Sequence, residues 1–361
     1  MTLKEVFNKR LNTLRSNLKI EDTDAVMVTN RENYMYMSGF TGTSAILLIS
    51  RERAILVTDF RYVEQATAQA PNYEIVQHGS NQMEELNRLL EEANIQRLWF
   101  EDRHLSYSQY LEYSNKLRVK ELVPLGKKLE EIRRIKDESE IRLIKKAAEI
   151  ADDVFTHILG YIKPGVTEVE IASEMEHHMR RLGAKGPSFE TIIASGKRAS
   201  MPHGVASEKR IEAGDVVTLD FGAVYEGYCS DITRTVFVGK PDAELEKIYR
   251  IVSEANKIGL EAVRSGLTGK QVDAAARKYI SDAGYGSNFG HGLGHGVGLE
   301  IHEDPTLSAR GDIILEDGMV VTVEPGIYIA ELGGVRIEDM VVVSGDSARV
   351  LTASSKEMII L

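Results

Sequence analysis

Five glycines stand at alternate positions, 290, 292, 294, 296 and 298, in the segment NFGHGLGHGVGLEIHEDP from Asn288 to Pro305. Each would cost a helix about 1 kcal/mol relative to alanine, so a stable helix is excluded. His291 and His295 nevertheless have the four-residue spacing of a helical zinc motif. Alternating glycine instead predicts an extended backbone that another group approaches closely. Three of the nine histidines, His291, His295 and His302, fall in this segment. A lone histidine is ordinarily a satisfied structural residue, whereas three in one glycine-rich stretch point to metal or acid–base chemistry.

Two further segments supply acids. The run VVTLDFGAVYEGYCSDITRTVFV, within Asp215 to Gly239, has β-rich halves around Tyr225-Glu226-Gly227-Tyr228 and predicts a hairpin. With Glu226-Gly227 as the loop, Tyr225 faces Tyr228, and Asp220 falls opposite Thr233. Asp231 is two residues from Thr233, so it shares a sheet face with Asp220. Two carboxylates so placed repel unless a cation lies between them; the alternative is a pair of solvated acids on an exposed face. From Met319 to Val343, TVEPGIYI and GGVRIEDMVV give two strands joined through Gly333-Gly334. Thr322 and Glu324 alternate there with Val321 and Val323, and Arg336 and Glu338 with Val335 and Ile337. An acid among β-branched apolar residues is costly to bury unpaired. Arg336 can pair with one acid; a metal accounts for both. Asp220, Asp231, His295, Glu324 and Glu338 form a set of hard ligands suited to manganese, cobalt, iron or zinc. Two divalent ions about 3.5–4 Å apart, sharing carboxylates and one hydroxide, make a hydrolase arrangement.

Upstream, short apolar runs (Ala25 to Thr29, Ala45 to Leu48, Ala54 to Thr58, Arg97 to Phe100) alternate with helical periodicity, as in Asn81 to Ala93. This predicts an α/β domain with a partly parallel sheet over residues 1–130, closed by the Pro124-Leu125-Gly126 turn. Residues 131–361 read as a larger α+β domain. It begins within a charged helical stretch, Lys128 to Tyr161, that carries a capping box at Asp137 and Glu140. Thr167 and Glu170 cap the next helix, to about Gly183, and helical segments follow over Ala243 to Ser265 and Thr268 to Ala283. With 44 Lys+Arg against 55 Asp+Glu, the net charge of -11 and the lack of a basic stripe argue against a nucleic-acid partner. The lone Cys229 offers neither an intramolecular disulfide nor zinc-knuckle spacing. The first twenty residues hold no signal-peptide run, and no stretch approaches about 18 apolar residues, so a cytoplasmic protein without a membrane partner is expected.

The order Asp220, Asp231, His295 in GHGLGHGVGLEIHE, Glu324 in VEPG and Glu338 in GVRIED resembles the pita-bread metallopeptidases, the group of prolidase (Xaa-Pro dipeptidase), aminopeptidase P and methionine aminopeptidase. YMSGFTG from Tyr36 and VTDFRY from Val57 are similar to the creatinase-like N-terminal domain of the proline-specific members. The resemblance covers nearly the whole chain. It implies a creatinase-like α/β domain over 1–130 and an α+β pita-bread domain over 131–361. The implied activity is cleavage of the Xaa-Pro bond of dipeptides or short peptides by a hydroxide bridging two divalent ions. Manganese is expected, with cobalt or zinc as alternatives. By the same resemblance Asp220 binds one metal, Asp231 and Glu338 bridge both, and His295 with Glu324 bind the second. His203 in MPHG and His302 would position substrate and stabilise the tetrahedral intermediate, with His291 supporting the site from beside the metals. Glu324 would shuttle a proton to the prolyl nitrogen. Thr233 would hydrogen-bond a ligand or the bridging water, and Arg336 would orient Glu338 or a neighbouring acid. Position 306 is threonine where several archaeal prolidases carry an arginine able to clamp a dipeptide's terminal carboxylate; Arg310 is the nearest arginine and the candidate for that role. Xaa-Pro dipeptidase is the first reading and aminopeptidase P, acting on longer Xaa-Pro peptides, the second. A metal-free peptide-binding module is the third, and it would require substitution among five positions that are all intact. A homodimer is also implied.

Overall fold

A computed structural model describes residues 2–361, which divide into two compact units between Arg133 and Arg134. The first unit runs α1 (Leu3–Leu18), β1 (Asp24–Val28), α2 (Arg31–Ser38), β2 (Ile46–Ser50), β3 (Ala54–Thr58) and α3 (Val63–Gln69). It continues with β4 (Glu74–Gln77), α4 (Gln82–Glu92), β5 (Arg97–Phe100), α5 (Tyr107–Lys116), β6 (Glu121–Pro124) and α6 (Lys128–Arg133). Its six strands lie in the order β4-β3-β2-β1-β5-β6. Strand β2 pairs antiparallel with β1 and β3, and the other pairs are parallel. The four apolar runs of the sequence become β1, β2, β3 and β5. Strands β4 and β6 escape that criterion because the first and last residues of each are exposed.

The second unit opens with α7 (Glu138–Leu159), α8 (Glu168–Arg181), β7 (Gly186–Pro187), β8 (Ile192–Ser195) and a 3-10 turn over Gly196–Ser200. Next come β9 (Val216–Phe221), β10 (Ala223–Tyr225), β11 (Tyr228–Cys229), β12 (Ile232–Phe237), α9 (Ala243–Ala262) and α10 (Gly269–Asp282). After a short 3-10 turn over Gly286–Asn288, the strands are β13 (Gly294–Gly296), β14 (Glu303–Leu307), β15 (Val320–Val323), β16 (Gly326–Ile329) and β17 (Gly333–Arg336). The last three are β18 (Asp339–Ser344), β19 (Ser347–Val350) and β20 (Ile359–Ile360). Two sheets matter for the site, β20-β12-β9-β8 and β14-β13-β15-β18-β19.

The helical stretch over Lys128 to Tyr161 is divided into α6 and α7, the second starting at the capping box read at Asp137 and Glu140. Lys136 leaves the helical path because its N–H donates to the Gly318 carbonyl (3.0 Å) and its ammonium is buried against Glu303 (2.9 Å). Asp137 restarts the helix: its carboxylate accepts from the N–H groups of Ser139 and Glu140, and Glu140 accepts from Asp137 N–H in return.

Strand period places the site. Along β9, Val217, Leu219 and Phe221 enter a core with Val154, Phe155 and Ile158 of α7 and Ile171, Met175 and Met179 of α8. Thr218 and Asp220 are left on the opposite face. Strand β15 repeats the device: Val321 and Val323 pack with Val252 and Ala255 of α9 and Val272 and Ala276 of α10, and Thr322 faces the other way. Each fully buried side chain of this size contributes about 1.5–3 kcal/mol, so slipping either strand by one residue would forfeit several such contributions at once. A helix pair thus covers one face of each sheet, and the polar residues gather on the other. Among the described residues, no helix is long and apolar enough to cross a membrane.

Candidate metal centre

The hairpin that carries the two aspartates turns at Glu226 (φ 48°) and Gly227 (φ 87°), the left-handed pair of a type I′ turn. Tyr225 pairs with Tyr228 and Asp220 with Thr233, as the parity of the sequence requires. Asp231 lies one residue before β12. His295 is the middle residue of β13, and a Cβ added to its neighbours would stand 2.0 Å from the Thr322 oxygen at Gly294 and 2.5 Å from the Asp304 oxygen at Gly296. These are the close approaches that the alternation predicted, and an added Cβ would also stand 2.6 Å from Glu303 Oε2 at Gly298 and 3.0 Å from the Leu307 oxygen at Gly292; at Gly290 no atom would lie within 4 Å. Glu324 follows β15, and Glu338 stands between β17 and β18. The side chain of Asn256, fully buried on α9, donates from one nitrogen to the carbonyls of Val323 (2.9 Å) and Ile337 (3.2 Å), the residues preceding these two glutamates.

All five candidate ligands line one cavity of about 490 Å³ together with His203, His291, His302 and Arg336. Donor atoms of Asp231, His295 and Glu338 lie within 4.8 Å of one another. His295 Nδ1 faces the Gly296 carbonyl (3.1 Å), which can only accept, so Nδ1 carries the ring proton and Nε2 presents its lone pair. Nε2 stands 3.5 Å from Asp231 Oδ2 and 3.5 Å from Glu324 Oε1. Burial lowers the His295 pKa to about 4, so the ring is neutral and these are not ion pairs. A cation held between these atoms would satisfy the imidazole and both carboxylates at once and offset the cost of ionising the acids. Burial first, then the nearby carboxylates, push Asp231 and Glu338 well up, and burial pushes Glu324 up to about 8. Among the described residues, Arg336 is the only arginine or lysine lining the cavity. It is committed to Asp220 Oδ2 (2.6 Å), while Asp220 Oδ1 is buried without a hydrogen-bond partner. The donor set and this orphaned oxygen both fit divalent metal, with His295 held by a backbone carbonyl as ligating histidines commonly are.

Arg336 orients the site through three partners. Besides Asp220 it donates from Nε to Thr233 Oγ1 (3.1 Å) and from Nη1 to the Tyr328 hydroxyl (2.7 Å). Thr233 passes the link on, donating to Glu338 Oε2 (2.7 Å). Arg336 therefore grips Asp220 directly and reaches Glu338 only through Thr233. Tyr328, absent from the sequence-based set, donates to His291 Nε2 (2.8 Å), because His291 Nδ1 is occupied in donating to the Gly292 carbonyl (2.8 Å). Burial, then Arg336, lower the His291 pKa to about 4.

His203 and His302 are exposed on the cavity wall, and the His302 ring packs edge-on against His295 with centroids 4.4 Å apart. Arg310 is not brought to that wall. It is exposed on the turn after β14, where the Gly311 carbonyl accepts from Lys270 N–H (2.7 Å) at the start of α10, and Thr306 and Ser308 line the cavity instead. An apolar stretch of wall, Phe189, Ile192, Pro202 and Val205, had no signal in the sequence because its members meet only through space.

The metallopeptidase family M24 model matches residues 142–345, and the creatinase/prolidase N-terminal domain model matches residues 10–135. A solved Xaa-Pro dipeptidase from Bacillus anthracis is 50% identical, covering 98% of this chain and 100% of its own, with a TM-score of 0.95. The Xaa-Pro dipeptidase of Pyrococcus horikoshii is 40% identical over 98% of this chain and 100% of its own length. A solved X-Pro aminopeptidase from Thermotoga maritima is 39% identical over 96% of this chain and 100% of its own, with a TM-score of 0.91. The architecture is thus a creatinase-type N-terminal domain followed by a pita-bread domain, and the chain belongs to metallopeptidase family M24.

Proposed function

We propose that the chain is an Xaa-Pro dipeptidase whose Asp220, Asp231, His295, Glu324 and Glu338 hold two divalent ions, manganese first. The observation that carries this reading is the convergence of ligand atoms of Asp231, His295 and Glu338 within 4.8 Å of one another in one cavity. The two Xaa-Pro dipeptidases with which the chain aligns end to end support the substrate. When bound, such ions polarise a carbonyl and activate water. Glu324 takes the proton that attacking water must lose and delivers it to the prolyl nitrogen, which leaves only once protonated. His203 and His302 donate N–H to the scissile carbonyl oxygen as it gains charge. Phe189, Ile192, Pro202 and Val205 receive the pyrrolidine ring and exclude water from it. Thr233 and Arg336 hold the carboxylates in place.

Aminopeptidase P activity is the second reading, and the commitment of Arg336 to Asp220 favours it. No other arginine or lysine among the described residues lines the cavity to read a dipeptide's terminal carboxylate. The test is a panel of Xaa-Pro, Xaa-Pro-Yaa and Xaa-Ala peptides on metal-stripped protein, with and without manganese, cobalt or zinc. Metal-dependent cleavage of Xaa-Pro is expected. A clear tripeptide preference transfers the assignment to aminopeptidase P, and full activity without metal refutes both.

A further inference from the structure

Glu168 lies outside the cavity, yet none of its surface is exposed. It opens α8, and its carboxylate gathers five donors. Oε1 accepts from the N–H (2.8 Å) and hydroxyl (2.7 Å) of Ser195. Oε2 accepts from the N–H (3.0 Å) and hydroxyl (2.6 Å) of Ser207 and from Arg198 Nε (3.1 Å). Ser195 is the last residue of β8 and Ser207 lies where the chain returns to α8, with Val169 N–H donating to the Ser207 carbonyl (3.1 Å). Between these anchors, Pro202, His203 and Val205 line the cavity.

The loop is also pressed down along its length. Arg198 reaches from Glu168 to the Val205 carbonyl, and Val205 forms a β-bridge with Ile192. A Cβ on Gly204 would stand 2.9 Å from the Ala194 Cβ, and one on Gly334 would stand 2.3 Å from the Ala199 oxygen. His203 itself is exposed, so the backbone of this loop decides where its imidazole sits. A buried carboxylate is costly unless fully hydrogen-bonded, and here every partner belongs to the loop or its ends.

We propose that Glu168 is a positioning residue for substrate recognition: it fixes residues 196–206 and thereby holds Pro202, His203 and Val205 at the cavity wall. This rests on the dipeptidase reading, which places the substrate there. Glu168→Gln keeps the shape but turns an NH2 group toward donors on one side. It should lower kcat/KM for an Xaa-Pro dipeptide on the order of 10- to 100-fold, the scale of a small misplacement. In a His203→Ala background the same change should have less than about a twofold effect, since residues acting through one another are not additive. Bound manganese should equal wild type. Amide hydrogen exchange over 196–206 should rise about tenfold while β15 and α9 keep wild-type rates. Unchanged exchange in that segment, additive effects, or loss of manganese overturns the proposal. If the wild-type chain cleaves no Xaa-Pro peptide, the functional reading falls and the exchange measurement alone decides whether Glu168 holds the loop. Should Glu168→Gln not fold, Ser207→Ala removes one donor and should raise exchange in the same segment by a smaller factor; no rise there also overturns it.

Discussion

Replacing Thr233 with valine removes one hydroxyl and tests how the candidate ligands are held. Its Oγ1 accepts from Arg336 Nε (3.1 Å) and donates to Glu338 Oε2 (2.7 Å). Its backbone is employed separately: the carbonyl accepts from Glu338 N–H (3.1 Å) and Arg234 Nη1 (2.9 Å), and the residue pairs with Asp220 across the hairpin. Valine is close to threonine in shape and suits a strand, so these features persist and only the two side-chain bonds disappear. A hydrogen bond to a charged group contributes about 1.5–3 kcal/mol, and each 1.4 kcal/mol is about tenfold in affinity. Manganese binding should therefore weaken about 10- to 100-fold, in keeping with the loss of other groups that orient metal ligands. The unpaired guanidinium N–H should separately cost about 1–3 kcal/mol of stability in the metal-free protein. Calorimetric titration of manganese into metal-stripped wild type, Thr233→Val and Thr233→Ser measures the first effect, and urea unfolding the second. Wild-type manganese affinity in folded Thr233→Val would refute the argument, as would failure of serine to restore binding.

Glu324→Gln should lower turnover by at least about 10² through loss of the proton carrier, measured in steady state at saturating manganese. His302→Ala should lower turnover with manganese content unchanged; an emptied site would make His302 a ligand. Arg310→Ala should leave the ratio of dipeptide to tripeptide kcat/KM within about 0.5 kcal/mol, the scatter of surface changes, and a selective rise in the dipeptide KM would restore it as the carboxylate clamp. Gly294→Ala puts a methyl 2.0 Å from the Thr322 oxygen and should cost about 1–3 kcal/mol or more of stability together with bound manganese; an unchanged melting temperature would contradict the close packing of β13.

Local chemistry was legible wherever it repeats with the backbone period. The Tyr225/Tyr228 turn set the Asp220–Thr233 pairing, and the capping residues Asp137 and Thr167 begin their helices as read. The glycine alternation announced an extended strand under close approach, although Gly290 is not pressed by a neighbour. Arg336 was foreseen as a partner of Glu338 or a nearby acid, and the choice of Asp220, 116 residues away in sequence on β9, is one that no local pattern encodes. Tyr328 could have been found: Gly326 pairs with Arg336, so Tyr328, two residues on, lies diagonal to Arg336 on the same face of β16 and β17. Phe189, Asn256 and Glu168 act across long sequence separations and left no periodic trace.

Glu338 reaches back 105 residues to the Thr233 hydroxyl, and the same long closure joins the backbones of the two residues. A refolding chain must meet the entropy of that closure before the donors stand together. A metal ion therefore recognises the finished sheets and not their precursors, so its contribution is missing from the folding transition state. It should act as a brake on opening. In denaturant-jump traces, native lifetimes should lengthen as manganese is added, while the refolding limb stays where it lies without the ion.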